Sequence, residues 1–275
     1  MTVMTRAVLS GFTLSDDELQ VIGSRIGVQG FPTVLGVRPR YETVDALDAA
    51  FDAATRSLVS RGLIIDGAIE PDLVPILRAL RRPERELAMR LVTPDGIARL
   101  CVVRCGGCGV VARRVGNEIV LRVADGSSDL AWATQALLGE LPRAEAAQMS
   151  PVGAPAEMVS RNLIGTHDPA QLADRVRALG AEPRAAMVLG AALASRVAFA
   201  EIVYYALCSD QDRISRRPAA VGVFYTKRGR IVGAPSASPS GQLWTTLKPG
   251  SDHAIGQAIN QLVELSPDQW EATLV

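Results

Sequence analysis

The sequence predicts an α+β fold in which two strand–helix units share one mainly antiparallel sheet, with helices outside it. Three observations predict it. Residues 85–142 read as several strands, then one helix, then a Leu-Pro stop, and residues 197–267 repeat that order and end in Leu-Ser-Pro. Segments of helical period precede each run. The 275-residue chain is 48% hydrophobic and 21% charged, the composition of an ordered globular protein. Identity between the two runs is slight, so the repeat is one of pattern rather than of residues.

The elements follow in order. "SDDE" at Ser15–Glu18 is a capping box, with the serine hydroxyl taking an orphan N–H and the glutamate reaching back. Leu19, Ile22 and Ile26 continue it at helical spacing, and Gly27 can stop the turn. "FPTVLGVRPRY" (31–41) reads as extended, since each proline disfavours helix in the residue before it. Thr43 then caps a second helix, with Asp45 and Asp48 at its positive end and Leu47, Phe51, Ala54 and Leu58 on one face. Arg61-Gly62 closes it, and a shorter helix lies between Pro71 and Pro83.

From residue 85 the period changes to two. Strands are predicted at 85–93, 96–105, 108–115 and 117–124, with turns at Pro94-Asp95-Gly96 and Gly116-Asn117. In "NEIVLRV", Ile119, Leu121 and Val123 face one way and Glu118 and Arg122 the other. A helix at 128–140 follows. Residues 142–166, rich in Ala, Pro, Ser and Gly, read as a linker that divides an N-terminal subdomain (1–145) from a C-terminal one (146–275). Asp168-Pro169 opens another helix, and "PRAAMVLGAALASR" (183–196) is a helix of small residues. Strands at 197–207, 219–226, 230–235 and 243–247 precede a last helix capped by Ser251 or Asp252.

Composition excludes several function classes. The 29 basic and 29 acidic residues cancel, so no global field draws nucleic acid or anionic membrane. Aromatics are 4% and do not interleave with basic residues, which argues against an RNA-stacking platform. "MTVMTRAVLSGFTLSDDE" has no apolar core of a signal peptide, and no run approaches the length of a membrane span. Four cysteines in this length make no disulfide framework, so a reducing cytosol is expected.

"CVVRCGGCG" (101–109) is the strongest chemical signal, with Cys101, Cys105 and Cys108 within eight positions. Gly106-Gly107 suits a type I′ turn that sets Cys105 against Cys108. Structural zinc needs four ligands, and one Cys-x-x-Cys supplies two. Cys208, His167 and His253 lie apart in sequence, so packing of small apolar thiols in a strand is expected, with no metal and no cofactor. A metal- or thiol-dependent enzyme centred on Cys101, Cys105 and Cys108 is the alternative. No nucleophile elbow, Walker loop or dinucleotide fingerprint is present, and the expectation is a protein that is not an enzyme.

What remains is surface. In "AEIVYYAL" and "GVFYT", alternation sends Tyr205 and Tyr225 to one face and Tyr204 and Phe224 to the other. One face must pack on helices; an uncovered one would be an aromatic patch of the type that binds protein.

The ordered segments "FPTVLGVRPRY", "LVSRGLIIDGAIEPDLVPILRALRRPERELAMRLV", "CVVRCGGCGVVARRVGNEIVLRV", "GRIVGAP" and "LWTTLKPGSDHAIGQAINQLVELSPDQW" resemble the EspG family over nearly the whole chain. These are cytosolic specificity chaperones of ESX (type VII) secretion in mycobacteria and related actinobacteria. The resemblance implies a quasi-two-fold central sheet flanked by N-terminal and C-terminal helical bundles. It implies that the protein binds the helical tip of the PPE subunit of a PE–PPE heterodimer, keeps the pair soluble and directs it to its secretion system. The family's hairpin carries ordinary polar turn residues, which makes the thiols incidental here. The face implied is the second set of strands with helices 168–196. Exposure there nominates Tyr204, Phe224, Tyr225, Lys227, Arg230, Val232 and Met187 as partner contacts. A homodimer of the free protein through the same sheet or an edge strand is a further expectation.

Overall fold

A computed structural model describes residues 11–271, apart from 29, 209–212 and 217. The fold class is α+β, and the backbone forms two compact units: residues up to 86 with 99–128, and 87–98 with residues from 129 onward.

The first unit opens with a strand the sequence pattern did not reveal, β1 (Gly11–Ser15), which buries Leu14. Ser15 then caps α1 (Asp16–Arg25) with both halves of the capping box formed: Glu18 N–H donates to Ser15 Oγ at 3.1 Å and Ser15 N–H to Glu18 Oε2 at 2.8 Å. A 3-10 turn at Thr33–Leu35 interrupts the segment expected to be extended. α2 (Val44–Ser60) is capped by Thr43, and a small hairpin of β2 (Ile64–Ile65) and β3 (Ala68–Ile69) leads to α3 (Leu73–Arg81).

β4 (Arg85–Thr93) and β5 (Gly96–Cys105) pass between the units. β6 (Cys108–Val115) and β7 (Glu118–Val123) complete the first unit's strand order, β1-β7-β6-β5, with β1 and β6 antiparallel to β7. One sheet face, carrying Cys101, Val103, Val110, Ala112, Ile119 and Leu121, packs with Leu19, Ile22, Leu58, Ile76 and Leu80 of the helices. The turn between β5 and β6 has a positive φ at Gly106 and not at Gly107. That pattern belongs to type II′, not the type I′ predicted, which needs both central residues at positive φ.

The second unit adds α4 (Leu130–Glu140), β8 (Val152–Pro155), α5 (Ala156–Leu163), α6 (Pro169–Ala178) and α7 (Pro183–Ala194). β9 (Arg196–Cys208), β10 (Arg213–Arg216), β11 (Val221–Thr226), β12 (Gly229–Ala237), β13 (Leu243–Pro249) and α8 (Asp252–Glu264) follow. The strand order is β4-β9-β11-β12-β13-β8, with β10 on the flank of β9.

The segment expected to be a linker is structured. β8 pairs with β13, α5 packs on the same strand, and the 145–147 backbone bonds to Arg230, with Arg230 N–H donating to Glu145 O at 2.7 Å and Ala147 N–H to Arg230 O at 2.9 Å. Small residues and prolines disguise a four-residue edge strand, a setting where strand proline is tolerated. Among the described residues, no helix is long and apolar enough to cross a membrane.

Candidate partner-binding surface

The three clustered thiols pack in the first unit. Cys101 is buried in the first unit's core, and Cys105 and Cys108 pack against it. Burial is the first cause that pushes all three thiols above the ordinary range, furthest for Cys101, where the Glu86 carboxyl adds to it. A reactive cysteine needs the opposite, an environment that stabilises thiolate. Among the described residues no group of three His, Cys, Asp or Glu side chains is arranged to hold a metal.

The second unit's sheet has two unlike faces, and the register decides which residues share each. Ile202, Ala200 and Ala198 of β9 stand opposite Val221, Val223 and Tyr225 of β11, and Val223 and Tyr225 stand opposite Val232 and Arg230 of β12. Tyr204 falls on this face by alternation. It is the face under α8. The Tyr204 hydroxyl donates to Asp268 O at 2.8 Å and its ring lies 6.3 Å from Trp270.

Arg230 is 2% exposed and works as an internal staple. Its Nε donates to Gly250 O at 2.6 Å, Nη1 to Pro142 O at 3.4 Å, and Nη2 to the Asp252 carboxylate at the start of α8. Its guanidinium also lies 5.9 Å from the Tyr225 ring centre.

Four of the seven nominated contacts are therefore interior: Tyr204 (2% exposed), Tyr225 (6%), Arg230 (2%) and Val232 (0%). The register also regroups the aromatics, joining Tyr204 with Tyr225 and Tyr205 with Phe224. A one-residue difference in pairing reverses every side chain, and nothing in either strand's own alternation fixes that pairing.

The opposite face is only part covered. α5, α6 and α7 close over Ile231, Leu247, Val152 and Ala154, forming the second unit's own core. At the margin of that bundle, where α7 meets β11, β9 and β11 carry a strip that is only half-buried, and Phe224 packs against the bundle's core. Phe199 and Phe224 stand opposite each other with ring centres 4.9 Å apart, and both are half-buried. Gly222 sits next to them, and a Cβ there would lie 3.3 Å from each ring. Glu201, opposite Gly222, is exposed. Further along, Tyr205 stands opposite Arg216, whose guanidinium lies 6.0 Å from the tyrosine ring centre. Ile214, 46% exposed, stands opposite Leu207.

Of the remaining nominated residues, Phe224 belongs to this strip, Lys227 is exposed in the β11–β12 turn, and Met187 is 64% exposed on α7. Phe199 and Glu201 were not nominated. Their signal was the alternation in "VAFAEIV", where a Phe and a Glu share one face of an otherwise apolar strand.

A half-buried aromatic pair retains some driving force. Covering the smaller share of each ring that is still exposed contributes less than about 1 kcal/mol.

A model of the EspG family matches residues 15–261. The chain belongs to the EspG family. This EspG protein is 28% identical over 261 residues to the ESX-1 secretion-associated protein EspG1 of Mycobacterium tuberculosis, covering 94% of this chain and 88% of the relative. It is 26% identical over 273 residues to the ESX-3 secretion-associated protein EspG3 of the same species, covering 94% and 92%. Its fold is shared with the M. tuberculosis type VII secretion chaperone EspG5, solved in complex with the PE25-PPE41 dimer. The TM-score is 0.76 at 16% identity, over 94% of this chain and 97% of that one.

Proposed function

We propose that this EspG protein is a non-catalytic cytosolic specificity chaperone of type VII (ESX) secretion. It binds the helical tip of the PPE subunit of a PE–PPE heterodimer, keeps the pair soluble and directs it to its own secretion system. Family membership and the fold shared with a chaperone solved with a PE–PPE dimer support the class of partner. The observation that carries the site is the half-buried Phe199–Phe224 pair on β9 and β11, at the margin of the α5–α7 bundle, which covers the pair only in part. Phe224, Lys227 and Met187 are contacts in this reading, joined by Phe199. Raised thiol pKa values give the cysteine-enzyme alternative no support.

Co-expression with the PE–PPE pairs encoded in its own genome tests the proposal. A 1:1:1 complex is expected on gel filtration with at least one pair, and none with pairs belonging to a different ESX system. Elution of the protein alone in the presence of every such pair overturns it.

A further inference from the structure

Resting on the chaperone reading, we propose that Glu201 and Arg216 select the guest: the bound tip presents a basic side chain to Glu201 and an acidic one to Arg216. Both residues are exposed and lie on the Phe199–Phe224 face. Both line one cavity of about 510 Å³, together with Ala156 and Ser160 of α5 and Pro235 of β12. That size is in the ordinary range for binding cavities.

Neither charge is neutralised by an ion pair among the described residues; Arg216 has only the Tyr205 ring. An unpaired acid in the middle of a strand calls for a reason, because glutamate is depleted there. Sheets place charges on edge strands to block edge-to-edge pairing. β9 has β4 on one side and β11 on the other, so edge protection does not account for Glu201.

The two charges are also spaced. Arg216 stands opposite Tyr205, four residues along β9 from Glu201, about 14 Å of strand. The matching guest charges therefore sit at separate positions, farther apart than one helical i,i+4 pair, which rises about 6 Å. Apolar contact with the phenylalanines supplies adhesion that any greasy tip could share. The acid and base then discriminate, because a like charge brought against either is strongly disfavoured.

Glu201→Lys and Arg216→Glu test the inference, in the full-length protein with a PE–PPE pair that the wild type binds. Each is expected to weaken binding at least about tenfold in 50 mM salt, with the loss shrinking in 500 mM salt as the charges are screened. Glu201→Gln and Arg216→Gln are expected to lose about threefold, and all four variants to keep the wild-type melting temperature because both positions are exposed. Variants that match the wild type's affinity and salt response overturn the charge selection and leave the chaperone reading standing. A wild type that binds no pair overturns both.

Discussion

Gly190→Val is expected to unseat α7 from α6 and to lower stability by about 3 kcal/mol. Gly190 lies inside α7, and an added Cβ would fall 2.6 Å from Ala173 N and 2.8 Å from Ala173 Cα. Those are backbone atoms of α6, with no flexible tip to swing aside. Even Gly190→Ala sets two effects against each other. Alanine gains about 0.8–1 kcal/mol of helix propensity over glycine. Overpacking costs about 1–3 kcal/mol or more, and it wins because the collision is with backbone. Around the contact, Leu189 and Leu193 interleave with Leu172 and Val176, so the separation propagates into the second unit's core. Gly256→Ala on α8 is the contrast, since a Cβ there meets only Thr134 Cγ2 at an ordinary 3.5 Å. It is expected to stabilise by up to about 1 kcal/mol. Denaturant midpoints of the three variants measure the signs. Because Phe224 packs against the core that α7 helps form, Gly190→Val is also expected to abolish guest binding.

Asp16→Ala is expected to cost about 3–5 kcal/mol, the penalty for stranding a buried charge. Asp16 opens α1 and its carboxylate meets Arg114 at 2.9 Å, with both side chains almost fully buried. Arg114 spends its other donors on Leu35 O at 2.8 Å, Gly36 O at 3.1 Å and Gly116 O at 3.0 Å. One guanidinium thus joins β6, the 3-10 turn and the start of α1. Without Asp16 it keeps three acceptors and loses its buried counter-charge; Arg40 also loses its ion-pair partner at 3.1 Å. Asp16→Asn retains an acceptor and is expected to cost less than half as much. A denaturation series in which Asp16→Ala shifts stability by under 1 kcal/mol would contradict this account of the first unit.

How far the sequence carried the fold depended on whether a signal was local. The Ser15–Glu18 capping box, the Thr43 and Ser251 caps and the period-two strands from residue 85 onward formed as predicted, because each is decided within a few residues. β8 and α5 went unread because proline and small residues hide a strand that is defined by its pairing with β13. The partner surface was legible in part. Alternation named the strands of the proposed surface, but the pairing of β9 with β11, irregular at Tyr225/Thr226, determined which aromatics share a face. Arg230 was expected at the start of a strand as a partner contact; its burial depends on acceptors at Gly250, Pro142 and Asp252. Those partners come from segments far along the chain, and no local pattern announces them.

The central claim is that the half-buried β9–β11 strip, rather than any reactive group, does the work by holding a helical guest. Hydroxyl-radical footprinting of the purified 1:1:1 complex against the free protein tests it most directly. Oxidation of Phe199 and Phe224 is expected to fall at least about fivefold on complex formation, as the part of each half-buried ring that solvent still reaches becomes fully desolvated. Tyr41 in the first unit, 39% exposed, is expected to be oxidised equally in both. Unchanged oxidation of Phe199 and Phe224 within an intact complex would contradict the claim.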